Sequence, residues 1–359
     1  MATKKNLFEG LSAKEIELRK AEARRIKAQK DKARGKVKEE RDDRELVHET
    51  KVRVNLETLR NVVKELENNL DTVGWERRTK EQRSAFHSWN TVSKFAEEHD
   101  NGGNELILDV QGNIAGNSKR IYYNPSITSL TKSFRKSIVP FDENHVFCFA
   151  DIKSAEFIMN CYFAGEQEAI DSYWRGEDVY EHYRGLFPDW VTRDALKTTL
   201  LAWLYGGSSY STSLRCGISE AQADRLILMI ERRFPRLVQL KAKIIRIVKE
   251  KGYYVCPDGF DQDNLLKVAE FGENGFNPNM AWSAYTQSAL AVFMRKLIDK
   301  VQPRINGTIL SVFDSLLVEV GPNSVERYAK WLEKNMYPFR IGKVTYGKTF
   351  YEAYKDDKS

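Results

Sequence analysis

Val146-Phe147-Cys148-Phe149-Ala150 is an unbroken apolar run that stops at Asp151. A short run without polar alternation reads as a buried strand. Thr308-Ile309-Leu310-Ser311-Val312-Phe313, then Asp314-Ser315, then Leu316-Leu317-Val318-Glu319-Val320 reads as a hairpin with its acidic residue at the tight turn. Either aspartate alone is an ordinary solvated strand end. On adjacent strand ends, two carboxylates can hold two divalent cations about 4 Å apart, the arrangement that clamps the attacking and leaving oxygens of an in-line phosphoryl displacement. Mg²⁺ suits it, with Mn²⁺ as an alternative, because it takes hard oxygen ligands and leaves positions open for phosphate.

Helices fill the chain between these strands. One carries Phe157, Ile158, Cys161 and Phe163. A second runs from about Thr192 to Tyr205 and stops at Gly206-Gly207. A third begins at Ser219, with Gln222 in capping-box position, breaks at Pro235 and resumes to about Lys251 before Gly252. A long helix spans about Asn279 to Val301. On the second helix Arg193, Lys197, Leu201 and Tyr205 recur every fourth residue and share one face. Two cations one turn apart suit a polyphosphate, and an aromatic ring beyond them suits a base.

Upstream, residues 12–53 are dense in alternating charge, with basic residues in excess. Ser12 and Glu15 have capping-box spacing, but Ile16, Leu18 and Ile26 are too sparse for a core-facing stripe. This reads as a solvated helix or an arm for nucleic acid or a partner protein. Leu56, Leu59, Val63, Leu66 and Leu70 then predict a packed helix, and Asn101-Gly102-Gly103-Asn104 a turn before Leu106-Ile107-Leu108.

The 359 residues are 42% apolar and carry a net charge of +6, enough for a sizeable core and a mild affinity for anions. Cys148, Cys161, Cys216 and Cys256 are scattered, which argues against a zinc site or a disulfide framework. No apolar segment follows the opening Met-Ala-Thr-Lys-Lys-Asn, and no run approaches a membrane span. A cytoplasmic protein without membrane contact is expected.

Three segments together resemble DNA polymerases of family A, the DNA polymerase I class. Phe149-Ala150-Asp151-Ile152-Lys153-Ser154-Ala155-Glu156-Phe157 resembles motif A, with a glutamate five positions after the metal-binding aspartate. Arg193-Asp194-Ala195-Leu196-Lys197, continuing to Leu204-Tyr205-Gly206, resembles motif B, and Val312-Phe313-Asp314-Ser315 stands where motif C belongs. Arg120-Ile121-Tyr122-Tyr123-Asn124-Pro125-Ser126, Phe134-Arg135-Lys136-Ser137-Ile138, Phe234-Pro235 and Ser283-Ala284-Tyr285-Thr286-Gln287-Ser288-Ala289 are similar to supporting segments. The resemblance runs from about Asn113 to Val320.

It implies an α+β right-hand polymerase fold: an antiparallel-sheet palm, helical fingers and a reduced helical thumb. The expected divisions are a charged arm over 1–53, a thumb-like helical region over 54–112, palm over 113–189, fingers over 190–279 and palm again over 280–359. Asp151 and Asp314 are the implied metal ligands, and Lys197 the implied general acid. Arg193, Lys197, Leu201, Tyr205, Glu156 and Tyr180 are the implied nucleotide-binding residues. Arg120, Arg135, Gln287 and Ser283 are implied to contact DNA. The implied partners are primer–template DNA and dNTPs, with a replication protein at the charged arm. The region before Asn113 is too short and too helical for a proofreading exonuclease. Small size and a missing exonuclease are associated with phage or mobile-element replication proteins.

The departures fall at motif C, where Phe313 and Ser315 replace a histidine and a second carboxylate, at Leu201, where a stacking aromatic is usual, and at Tyr180, where a histidine is usual (His182 is close by). Ser315 and Cys256-Pro257-Asp258-Gly259-Phe260 lean toward a primase or an RNA polymerase-like enzyme using ribonucleotides, while Glu156 leans toward deoxynucleotides. The altered motif C also keeps open a catalytically inactive, polymerase-derived replication accessory that binds nucleic acid.

Overall fold

Where the charged run ends, side chains begin to alternate between buried and exposed. The structure, a computed structural model, describes residues 45–70, 79–114, 120–251, 253–255, 265–267, 276–336 and 339–355. Strand β1 (Glu45–Asn55) buries His48, Thr50, Val52 and Val54 and exposes Glu49 and Lys51. Residues 45–53, expected to belong to the charged arm, are therefore strand, because a period of two buries one face whatever the charge on the other. The rest of the arm, 1–44, lies outside the described residues.

Asn55 caps α1 (Leu56–Asn68) by accepting from the Thr58 amide, and Leu56, Leu59 and Val62 face inward. Helix α2 (Lys80–His99) opens on a capping box between Thr79 and Gln82. Strand β2 (Glu105–Ile114) then returns antiparallel to β1, from Asn55 opposite Glu105 to Glu45 opposite Ile114. With β3 (Ile121–Asn124) and β4 (Ile138–Val139) they form a sheet in the order β3-β2-β1-β4. The region expected to be helical, 54–112, thus has its helices between two sheet strands. The polar spacing in Glu105–Ile114 conceals an exposed-buried alternation that apolar runs alone do not reveal.

The second sheet, in the order β10 (Thr345–Gly347), β5 (Val146–Asp151), β9 (Ser315–Val320), β8 (Ile309–Val312), is antiparallel throughout and carries both aspartates at its strand ends. Strand β5 (Val146–Asp151) leads to α3 (Ala155–Ala164), α4 (Gln167–Trp174) and α5 (Val179–Arg184). Helices α6 (Arg193–Leu204), α7 (Ser209–Cys216), α8 (Glu220–Arg233) and α9 (Pro235–Lys251) follow, with the expected capping box at Ser219 and break at Pro235. A small hairpin, β6 (Tyr253–Val255) with β7 (Leu265–Lys267), precedes the long α10 (Pro278–Val301). The chain closes with β8 (Ile309–Val312), β9 (Ser315–Val320), α11 (Val325–Asn335), β10 (Thr345–Gly347) and α12 (Phe350–Lys355). The Cys256–Phe260 segment lies outside the described residues.

The unbroken apolar run of β5 follows from its position between two cores. Val146, Cys148 and Ala150 join one with Ile158, Trp282, Tyr285, Phe293 and Met294. Phe147 and Phe149 join the other with Val52, Val54, Phe134, Leu310, Leu317 and Phe350. Each fully buried aliphatic or aromatic side chain contributes roughly 1.5–3 kcal/mol, so both faces hold the strand in register and fix where Asp151 emerges. Among the described residues no helix is long and apolar enough to cross a membrane.

Candidate active site

Strands β5 and β9 pair directly, with Asp151 opposite Ser315, and the Ile152 amide donates to the Asp314 carbonyl at 3.1 Å. The register therefore sets the two aspartates side by side at one end of the sheet. Both line a cleft of about 610 Å³, together with Glu156, Tyr180, Arg193, Lys197 and Leu201. Burial, and then the facing carboxylates of Glu156 and Asp151, push the Asp314 carboxyl up to about 8. Like charges crowded at a half-buried point favour a cation between them.

Helix α6 starts where the Thr192 hydroxyl accepts from the Ala195 amide, which points its first turn at the cleft. Asp178 accepts from Arg193 Nε at 2.9 Å and from Nη2 at 2.5 Å, while its other carboxylate oxygen caps α5 at the Tyr180 and Glu181 amides. Burial opposes ionisation of Asp178, but the bonds from Arg193 and the helix amides outweigh it and hold its carboxyl below the ordinary value. Both Arg193 and Lys197 lie over the Tyr180 ring, at 5.7 and 5.6 Å from its centre. Tyr180 is buried and stacked on Phe157, so it forms a floor under the two cations.

At the other end of α6, the Tyr205 hydroxyl donates to the Glu156 carboxylate in a short hydrogen bond. Arg120 completes this group, with Nη2 3.4 Å from the Tyr205 hydroxyl and 3.6 Å from Glu156, and its guanidinium 5.1 Å from the centre of the Phe313 ring. Phe313 is 66% exposed with φ of 59°, a left-handed conformation uncommon for a bulky residue. The hairpin thus presents an aromatic face to solvent beside Asp314. Ser315 is buried, and its hydroxyl donates to the Val312 carbonyl at 2.7 Å, so it braces the turn and faces no ligand.

The remaining expected contacts lie elsewhere. Gln287 Nε2 donates to Ser283 Oγ at 2.8 Å along α10, both half-buried and outside this cleft. Arg135 is only 8% exposed, sandwiched between Phe350 and Tyr354 at 4.6 and 4.4 Å. Burial lowers its affinity for a proton, which is the environment of a packing residue beneath α12. Sequence reasoning did not single out Asp178, Lys153, Arg340 or Lys343, all of which line the cleft. Lys153 lies inside motif A and was legible there; Arg340 and Lys343 belong to no motif and reach the cleft only through tertiary pairing.

Comparison with known proteins bears on the same span. DNA polymerase I of Geobacillus stearothermophilus is 22% identical over 253 residues, 62% of this chain. The chain spans only 28% of that relative's length. The fold is similar to that of the POL domain of Pol1 from M. smegmatis in complex with DNA primer-template and dNTP. The TM-score is 0.67 at 16% identity, covering 84% of this chain and 68% of that one. The family model described as DNA polymerase family A matches residues 117–344. That match takes in both strand-end aspartates and the cationic helix between them, and the chain belongs to DNA polymerase family A.

Proposed function

We propose that the chain is a template-directed DNA polymerase core, a nucleotidyltransferase that adds deoxynucleotides to a primer 3′-hydroxyl. The observation that carries this reading is the convergence of Asp151 and Asp314 on one cleft with Arg193 and Lys197 of α6. Clustered carboxylates, one of them pushed up to about 8 by burial and then by its neighbours, fit hard divalent cations such as Mg²⁺ or Mn²⁺ completed by substrate phosphate. Asp151 and Asp314 would hold such ions, which would supply Lewis-acid stabilisation of the charge developing on phosphate.

In this reading the primer 3′-hydroxyl gives up its proton to solvent, its oxygen bonds to the α-phosphorus, the bond to the bridging β-phosphate oxygen breaks, and pyrophosphate departs. Arg193 and Lys197 bind the triphosphate on the aromatic floor of Tyr180, and Lys197 passes a proton to the leaving group. The work is positioning plus charge stabilisation. Leu201 lies against the incoming nucleoside and Tyr205 near the templating base, while Glu156 closes the space beside the sugar 2′ position. Arg120, Gln287 and Ser283 are assigned to the duplex minor groove. Primer–template DNA and dNTPs are the partners, the cytoplasm the setting, and the charged arm a grip on DNA or a replication protein.

Ribonucleotide use draws little support from Ser315, whose hydroxyl is turned into the hairpin. Primer extension with dNTPs and NTPs in parallel tests the reading. Incorporation of dNTPs that Asp151→Ala reduces by about a thousandfold or more, with DNA affinity kept within about threefold, supports catalysis. Binding of DNA without incorporation under any metal shows an inactive accessory instead.

A further inference from the structure

The cleft draws cations from two parts of the chain. Besides Arg193 and Lys197 of α6, it is lined by Lys153, just beyond Asp151, and by Arg340 and Lys343 in the segment before β10. This segment is tied to the metal-side strand by the backbone. The Gly342 amide donates to the Asp151 carbonyl at 2.8 Å, the Lys153 amide to the Arg340 carbonyl at 3.4 Å, and Ile152 bridges Ile341. The backbone at Lys153, Arg340 and Gly342 is therefore fixed against the strand end that carries Asp151.

Their seats are shaped by two glycines. A Cβ on Gly342 would stand 2.6 Å from Lys153 Cε, and one on Gly176 3.1 Å from Arg340 Nη2. Gly176 also has φ of +91°, so an L side chain there is strained as well as crowded. Tyr173 fixes Arg340 from three directions. Its hydroxyl accepts from the Arg340 amide at 2.6 Å and donates to the Arg340 carbonyl at 2.9 Å, and its carbonyl accepts from Arg340 Nη1 at 2.5 Å. Two other acids of the cleft are otherwise engaged, Glu177 by Arg175 and Ser172, and Asp178 by Arg193. Among the described residues no carboxylate pairs with Arg340 or Lys343.

We propose that Lys153, Arg340 and Lys343 form a second polyphosphate subsite, which receives the β,γ end of the incoming triphosphate and then holds the pyrophosphate product as it leaves. The role given to this subsite rests on the nucleotidyltransferase reading above, but the binding it predicts does not. A guanidinium fixed in advance offers phosphate a planar pair of donors, and two flexible ammonium groups adapt to a ligand that shortens from triphosphate to pyrophosphate. With α6 supplying cations from the other element, the phosphates are met by two parts of the chain.

The test is calorimetric titration of the full chain with inorganic pyrophosphate in the presence of Mg²⁺, with sulfate as comparator. Arg340→Gln/Lys343→Gln is expected to weaken pyrophosphate binding about tenfold or more, with an unchanged circular-dichroism spectrum. Lys343→Gln alone, at an exposed position, is expected to weaken it severalfold and guards against misfolding of the double variant. An unchanged Kd in either variant, no pyrophosphate binding by the wild type, or equal affinity for sulfate overturns the proposal. If pyrophosphate binds as expected while no nucleotide is incorporated, the polymerase reading fails and the subsite stands. If dNTPs are incorporated while the Kd is unmoved, the subsite fails and the polymerase reading stands.

Discussion

Arg193 delivers two guanidinium N–H groups, from Nε and Nη2, to a single carboxylate oxygen of Asp178. The residue assigned to the triphosphate is thus held by an internal anion, one that also anchors the start of α5. Each interaction raises or lowers the partner's pKa in the direction that keeps both charged. Binding a triphosphate means exchanging one anionic partner for another.

Asp178→Asn is expected to lower the KM for dNTPs by up to about fivefold, because a half-exposed ion pair contributes about 1 kcal/mol at most. The asparagine keeps the cap on α5, so thermal stability stays close to wild type, whereas Asp178→Ala loses about 1 kcal/mol with the cap. Steady-state kinetics and thermal melts of both variants separate the two roles. An unchanged or higher KM in Asp178→Asn counts against the exchange.

Stability should depend on pH through Asp314. Its folded carboxyl titrates near 8, against 3.8 as its ordinary value, so between these values the folded chain binds the extra proton. The contribution is fully present below about pH 4 and is lost as pH rises through 8. Melts in EDTA are expected to show Asp314→Asn more stable than wild type by about 2 °C or more at pH 8–9, with the gap closing toward pH 4. A pH-independent gap removes this account of the crowded carboxylates.

Arg135 is expected to behave as a packing residue. Arg135→Ala opens a cavity between Phe350 and Tyr354 and should destabilise by about 2–3 kcal/mol. Arg135→Met refills the space without a buried charge and should restore most of that stability, with DNA affinity within about twofold of wild type. A large loss of DNA affinity in a stable Arg135→Met chain would return Arg135 to the DNA surface.

Glu156 joins the nucleotide side of the cleft to α6 through Tyr205. Glu156→Ala is expected to raise kcat/KM for NTPs relative to dNTPs by about tenfold, the effect of opening the space at the 2′ position. Tyr205→Phe removes only the hydroxyl bond and should leave this ratio nearly unchanged. Single-nucleotide insertion with matched dNTP and NTP pairs measures both. Equal selectivity in wild type and Glu156→Ala shows that the gate lies elsewhere.

The sequence carried the elements whose burial is periodic or continuous. The β5 run, the β8–β9 hairpin, the helix start at Ser219 and the long α10 are each written in local pattern, because hydrophobic period and end-capping are short-range properties. Strand β1 was less legible. Its outward residues are charged like the arm before it, and only pairing with β2 gives its inward set a partner.

Local chemistry by itself determined the two apolar strands ending in aspartate and the α6 face with cations at one end and Tyr205 at the other. Tertiary structure alone decided that Asp151 and Asp314 share a strand end, that Arg193 is held by Asp178, that Arg135 is interior, and that Arg340 and Lys343 stand at the cleft. Those relationships depend on strand register and on chain segments far apart in sequence, and no periodicity within one segment encodes the distance to another.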